Sequence, residues 1–172
     1  FYANHLHEYY NCDWITGFYP PKKENNYELS MKVTLIHPCI GKHSGQKDYI
    51  RTWQMEPLGA ATLASLTPKE HIVKFYDDRV EPIPFSEKTD LVAISIETYT
   101  AKRAYQIASE YRKRNIPVVM GGFHASLCPE EVSQYAESVV VGEAESSWQQ
   151  ILCDAERKNL KTYYQSSQRP SL

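Results

Sequence analysis

Residues 118–125 read VVMGGFHA: three apolar residues run into two glycines, an aromatic and a histidine. Glycine at the end of a strand weakens it unless a turn or a close approach to backbone requires the missing side chain. Gly121 and Gly122 therefore either turn the chain or clear room for a ligand. Two other short segments carry related chemistry. Residues 95–98, SIET, offer the hydroxyls of Ser95 and Thr98 and the carboxylate of Glu97, and Gly142 stands directly before Glu143. Bare amides, hydroxyls and carboxylates hold a polar ligand; they do not make a nucleophile and its base. Any single strand-to-helix turn needs small polar residues for its own geometry. Three such turns on one rim are harder to dismiss.

Metal chemistry has less support. Cys12, Cys39, Cys128 and Cys153 are scattered, with no Cys-x-x-Cys pair, so reduced thiols are expected rather than a metal or disulfide framework. His5 and His7 lack a third ligand, and His71 opens a strand and reads as a surface residue. No residue is assigned to a metal, and none to catalysis.

The elements that must position these groups alternate. Apolar runs rich in β-branched residues occur at 32–37, 71–76, 91–96, 117–120 and 138–141. Between them lie helical patterns. Residues 57–66 place Leu58, Ala61, Leu63 and Leu66 near one face, and residues 101–114 set Ala104, Ile107, Ala108 and Tyr111 on an inward stripe. Residues 128–136 open with proline and two acids, as a helix N-terminus does, and residues 146–159 form a last amphipathic helix with a serine cap. Only 77–90 lacks a helix and reads as an extended crossover. Continuous apolar strands separated by helices imply a parallel sheet covered on both faces. The expected fold is α/β, a flavodoxin-like, doubly wound sheet of five parallel strands, whose ligands sit beyond the carboxyl ends of the strands.

The chain has 172 residues and a formal charge of −2, which gives no electrostatic footprint for nucleic acid. No apolar run approaches the roughly 20 residues of a spanning helix. Neither nucleic acid nor membrane is an expected partner, and a cytoplasmic location is. Residues 1–30 are rich in tyrosine and asparagine without periodicity and form a leader to which no function is assigned. The domain proper is expected at 31–160 and a linker at 161–172.

Known occupants of such a fold are distinguishable by their loops. Glu97 could stand in for the acid of a phospho-receiver domain, but Gly142-Glu143 occupies the place of its lysine. GxxxxGK[ST] and GxGxxG are both absent. The segment after the first strand, HPCIGKHSG, has one hydroxyl and a proline, which disfavours flavin mononucleotide.

Together, the hydroxyl-bearing end of strand three, the RAYQIA helix, VVMGGFHAS followed by PEE, VVVGEAE and the earlier MEPLGAATLASL resemble the cobalamin-binding domain of B12-dependent radical SAM proteins. The likeness spans about residues 31–165. It implies that a cobalamin nucleotide tail inserts past the ends of strands three to five. Gly121 and Gly122 would let backbone approach the tail, Ser95 and Thr98 would hydrogen-bond it, and Gly142 and Glu143 would complete the rim. Glu97, Tyr99, Phe123 and His124 belong to the same rim set, His124 as a tail contact or a structural residue. Tyr99 and Phe123 either pack on the ligand or block it.

The resemblance has one departure. DxHxxG, which supplies a histidine below cobalt in the methionine-synthase type, is missing: neither His37 nor His43 has an aspartate two residues before it. A cobalamin without a lower histidine from that motif is expected, with His43 the alternative ligand. The resemblance also implies a C-terminal radical SAM domain of the same polypeptide, bearing S-adenosylmethionine and a 4Fe-4S cluster, outside this chain. The three cysteines of such a cluster are not here, so this chain alone is expected to be non-catalytic within a methyltransferase or related radical enzyme. The competing reading is a flavodoxin-like sensor or interaction domain that holds no cobalamin.

Overall fold

A computed structural model describes residues 30–40 and 56–165. The leader expected at 1–30, apart from its last residue, and His43 lie outside the described residues. Six strands form one parallel sheet: β1 (Lys32–His37), β2 (Ile72–Asp77), β3 (Leu91–Ser95), β4 (Val118–Gly121), β5 (Ser138–Val141) and β6 (Tyr163–Gln165). Their spatial order is β2-β1-β3-β4-β5-β6, and every neighbouring pair is parallel. The chain thus runs outward from β1 in both directions, and the crevice between β1 and β3 marks the reversal.

The α/β, flavodoxin-like expectation holds, with a correction to the strand count. Tyr163–Gln165 pairs with β5 as a sixth strand, at the start of the stretch assigned to a linker. Three residues carry too little pattern to be seen, and their anchorage is tertiary. The buried Tyr164 donates its hydroxyl to Asp154 at 2.7 Å, and Ser138 donates to the Lys161 carbonyl at 2.7 Å.

Two hydrophobic layers cover the sheet, as the strand period of two requires. On one face Ile36, Ile94, Val118 and Met120 pack with Ala104, Ile107, Ala108 and Tyr111 of α2 (Ala101–Arg112), and with Ala125 and Val132 of the short helices α3 (Phe123–Leu127) and α4 (Pro129–Val132). On the other, Val33, Leu35, Ala93, Val119 and Val140 meet Ala60 of α1 (Leu58–Leu66) and Trp148, Ile151 and Leu152 of α5 (Trp148–Glu156). The inward stripe of α2 is the expected one. That of α1 holds in part: Leu63 and Leu66 pack on this core as expected, but the buried residue is Ala60, with Ala64 beside it, whereas Ala61 is exposed and Leu58 is 68% exposed. No helix forms between β2 and β3.

Four further expectations change. The helix over 128–136 keeps only α4, and α3, too short for a periodic signal, precedes it. Ser147 precedes α5 but its side chain makes no capping hydrogen bond. His71 is buried rather than on the surface, because its Nδ1 accepts the Met31 amide at 3.2 Å and its Nε2 lies 3.6 Å from Glu156. Among the cysteines, Cys128 is a free thiol, whereas Cys153 is disulfide-bonded, against the expectation of reduced thiols throughout.

Candidate functional site

The carboxyl ends of β3, β4 and β5 frame a cleft on the face covered by α1 and α5. Gly59, Ala60 and Leu63 of α1 form one wall, Leu35, Ala93, Val119 and Val140 of the sheet form the floor, and Trp148 of α5 closes the far side. It has a volume of about 130 Å³ and opens to solvent. The walls are mainly apolar; Ser95, Glu143 and Glu145 supply the polar side chains. Trp148 is held by donating its indole N–H to Thr67 Oγ1 at 2.9 Å, which ties the start of α5 to the end of α1.

The two glycines of the opening question have different jobs. Gly121 ends β4 and lines the cleft; a Cβ there would rest 3.4 Å from Val140 Cβ in ordinary contact. Gly122 has φ +102° and ψ −171°, a conformation essentially confined to glycine. A Cβ there would strike Ile96 O at 2.9 Å and Ile96 N at 3.0 Å. The chain itself fills that space: Ile96 N–H donates to Gly121 O at 2.8 Å and His124 N–H donates to Ile96 O at 3.1 Å. Gly122 therefore permits a turn packed on β3, although it also lines the cleft. Room for a ligand is Gly121's contribution.

Ser95, Gly121, Gly122, Gly142 and Glu143 converge on the cleft, as their order in the sequence suggested. The amide of Gly142 is taken up within the chain: Ser126 Oγ accepts it at 2.9 Å and donates to Gly122 O at 3.0 Å, bracing the two glycine turns together. Thr98 opens a 3₁₀ turn (Thr98–Thr100) and its hydroxyl faces His124 Nδ1 at 3.3 Å. Glu97 precedes that turn, its amide donating to Thr100 Oγ1 at 3.0 Å. None of Glu97, Thr98 and His124 lines the cleft. His124 is buried on the α2 side of the sheet, where its Nε2 lies 3.2 Å from the Tyr105 hydroxyl, so the rim contact expected of it gives way to a place in the core. Tyr99 and Phe123 do not block the cleft; they project into solvent, 49% and 61% exposed.

The residues that composition missed are the apolar walls. Gly59 and Ala60 looked like ordinary helix residues, yet their small size leaves the cleft open; a Cβ on Gly59 would meet nothing within 4 Å. Trp148 had no motif around it that distinguished a wall from core.

Charges cluster at the β1–β2 side of the same edge. Asp78, fully buried, takes two hydrogen bonds from Arg103, at 2.7 and 2.8 Å, and Asp77 pairs with Arg79 at 2.7 Å. Burial raises the Asp77 carboxyl, but hydrogen bonds from the Arg79 side chain and backbone outweigh it and hold the pKa below its ordinary value. Burial and then the Arg79 charge lower His37.

A family model described as B12 binding domain matches residues 52–152. Over 114 residues the chain is 40% identical to a bacteriochlorophyllide d C-8(2)-methyltransferase of Chlorobaculum tepidum, covering 66% of this chain and 25% of that protein. A bacteriochlorophyllide d C-12(1)-methyltransferase of the same organism is 36% identical over 114 residues, 64% of this chain and 25% of its own length. An uncharacterized methyltransferase of Pyrococcus horikoshii is 33% identical over 135 residues, 71% and 29% respectively. The chain thus spans between a quarter and three tenths of the relatives it matches. Among the described residues no helix is long and apolar enough to cross a membrane.

Proposed function

The chain belongs to the B12-binding domain family, and from that premise we propose that it holds a corrinoid by its nucleotide tail in the cleft between the sheet and helices α1 and α5. The observation that carries this reading is the cleft itself, mainly apolar and open at the strand ends, where its polar groups lie. Such a lining suits a ligand arm with an apolar ring and a polar sugar–phosphate. Leu35, Leu63, Val119, Val140 and Trp148 exclude water from the ring, which avoids burying unpaired polar groups. Gly121 leaves the arm's path clear, Ser95 presents a hydroxyl donor, and Glu143 accepts a hydrogen bond from the ribose. When bound, the corrinoid supplies a cobalt-centred carrier for a methyl group, the chemistry being the cofactor's and the placement the protein's.

The relatives' names and the short span of this chain within them support a methyltransferase assembled from this module and a further domain. That domain is proposed to be a radical SAM domain of the same polypeptide, with its own S-adenosylmethionine and 4Fe-4S cluster, in a cytoplasmic enzyme. The module positions the cofactor and performs no catalysis alone.

Retention of colour tests the reading. The chain is incubated with hydroxocobalamin and desalted; the expected product keeps a corrin absorption spectrum at about one equivalent. Gly121→Leu, whose side chain enters the cleft, is expected to lose retention while still unfolding cooperatively. Colourless wild-type protein would overturn the assignment in favour of a sensor or interaction domain.

A further inference from the structure

Behind the cleft, on the opposite face of the sheet, the corner between α3 and α4 gathers three metal-ligating side chains. We propose that His124, Cys128 and Glu131 form a site for a zinc-class divalent ion, separate from the corrinoid cleft and independent of that reading. Their ligand atoms all lie within 4.8 Å of one another. His124 Nε2 and Glu131 Oε1 are 3.7 Å apart. Two ligands each about 2.0–2.1 Å from a tetrahedral zinc are about 3.4 Å apart, so these two close on an ion with a shift of a few tenths of an ångström.

The ligand chemistry is specific. A thiolate, an imidazole and a carboxylate suit zinc, whereas magnesium and calcium take oxygen sets. Three protein ligands leave a fourth position for water. The spacing of four and then three residues sets the groups on successive turns, and the backbone at Cys128 (φ −130°, ψ 55°) bends the chain between the two short helices. The approach is graded: His124 is buried, Cys128 half-buried and Glu131 exposed, so an ion enters from the carboxylate side.

Outer contacts that orient metal ligands are already built. Tyr105 of α2 donates its hydroxyl to Glu131 Oε1 at 2.9 Å, and its ring stacks on Tyr135 at 3.9 Å between centroids. Thr98 Oγ1 stands 3.3 Å from His124 Nδ1 and accepts its proton when Nε2 ligates. In the metal-free corner the Tyr105 hydroxyl fills the space beside Nε2 at 3.2 Å. Binding replaces that contact, and the Cys128 thiol, free in this structure, gives its proton to water.

Cobalt(II) is the probe. Added to the reduced, metal-free 172-residue chain, it is expected to give a stoichiometric thiolate-to-cobalt charge-transfer band and the intense visible bands of a tetrahedral ion. Zinc(II) is expected to abolish both and to raise the melting temperature. Cys128→Ser is expected to lose the charge-transfer band, and Glu131→Gln, at an exposed position, to weaken binding without disturbing the far-ultraviolet circular dichroism. Tyr105→Phe keeps the band but lowers affinity about 10–100-fold, as loss of an outer contact does. Wild-type protein without the band, or a band that survives Cys128→Ser, would overturn the proposal. The corner would then be a hydrogen-bonded network alone, or the ion would sit on another cysteine of the chain.

Discussion

Replacing Gly122 with alanine puts a methyl group 2.9 Å from the Ile96 carbonyl oxygen, on a backbone whose φ is +102°. The conformational strain for a residue with a Cβ is about 1–3 kcal/mol. The clash cannot be relieved by a rotamer change, because its nearest atoms are backbone O and N; overpacking of this kind adds about 1–3 kcal/mol. The total, about 2–6 kcal/mol, lowers the melting temperature by roughly 10 °C in a chain of this size. Gly121→Ala is the control. Its Cβ meets Val140 at 3.4 Å, and alanine is favoured over glycine in a strand, so its stability stays within about 1 kcal/mol of wild type. Thermal melts followed by circular dichroism at one scan rate compare the two. Should Gly122→Ala melt no lower than Gly121→Ala, the turn packed on Ile96 is not what requires glycine there, and the division of labour between the two positions is wrong.

Asp78→Ala leaves the Arg103 guanidinium without its two-bonded partner and is expected to cost about 3–5 kcal/mol in urea unfolding, as loss of one member of a buried pair does. His37 is lowered from its ordinary pKa near 6.5, so folding favours the neutral ring. Its contribution is complete above that value and is lost as pH falls toward the folded pKa; His37→Asn should flatten the stability curve as pH falls below about 6.5. Trp148→Phe removes the bond to Thr67 and part of a buried wall, with an expected loss of about 1–3 kcal/mol and weaker hydroxocobalamin retention. His43→Ala should leave the absorption spectrum of bound cobalamin unchanged if the corrinoid lacks a lower histidine.

The strands at 32–37 and 138–141 were legible to the residue because each is a short apolar run bounded by turn residues. α2 was legible because charge and apolarity separate on its two sides. α1 was only half legible, for the opposite reason: Leu63 and Leu66 pack inward as expected, Leu58 and Ala61 do not. Its residues, LGAATLASL, are small or apolar around the whole helix, so composition could not say which side meets the sheet. The sixth strand and α3 failed as signals because three and five residues hold fewer than two full periods.

For the site, the sequence determined which groups gather at the carboxyl edge: parallel strands place every strand end on one rim, so Ser95, Gly121 and Glu143 had to be neighbours. What each group does there was settled by packing. Thr98 and the Gly142 amide are taken up by His124 and Ser126, Gly122 is pressed against Ile96, and His124 turns inward toward Tyr105. Those partners lie between 16 and 26 residues away along the chain. A one-dimensional pattern records residue type and period, whereas a hydrogen bond or a clash depends on distances of a few tenths of an ångström that exist only once the sheet and its helices have closed on each other.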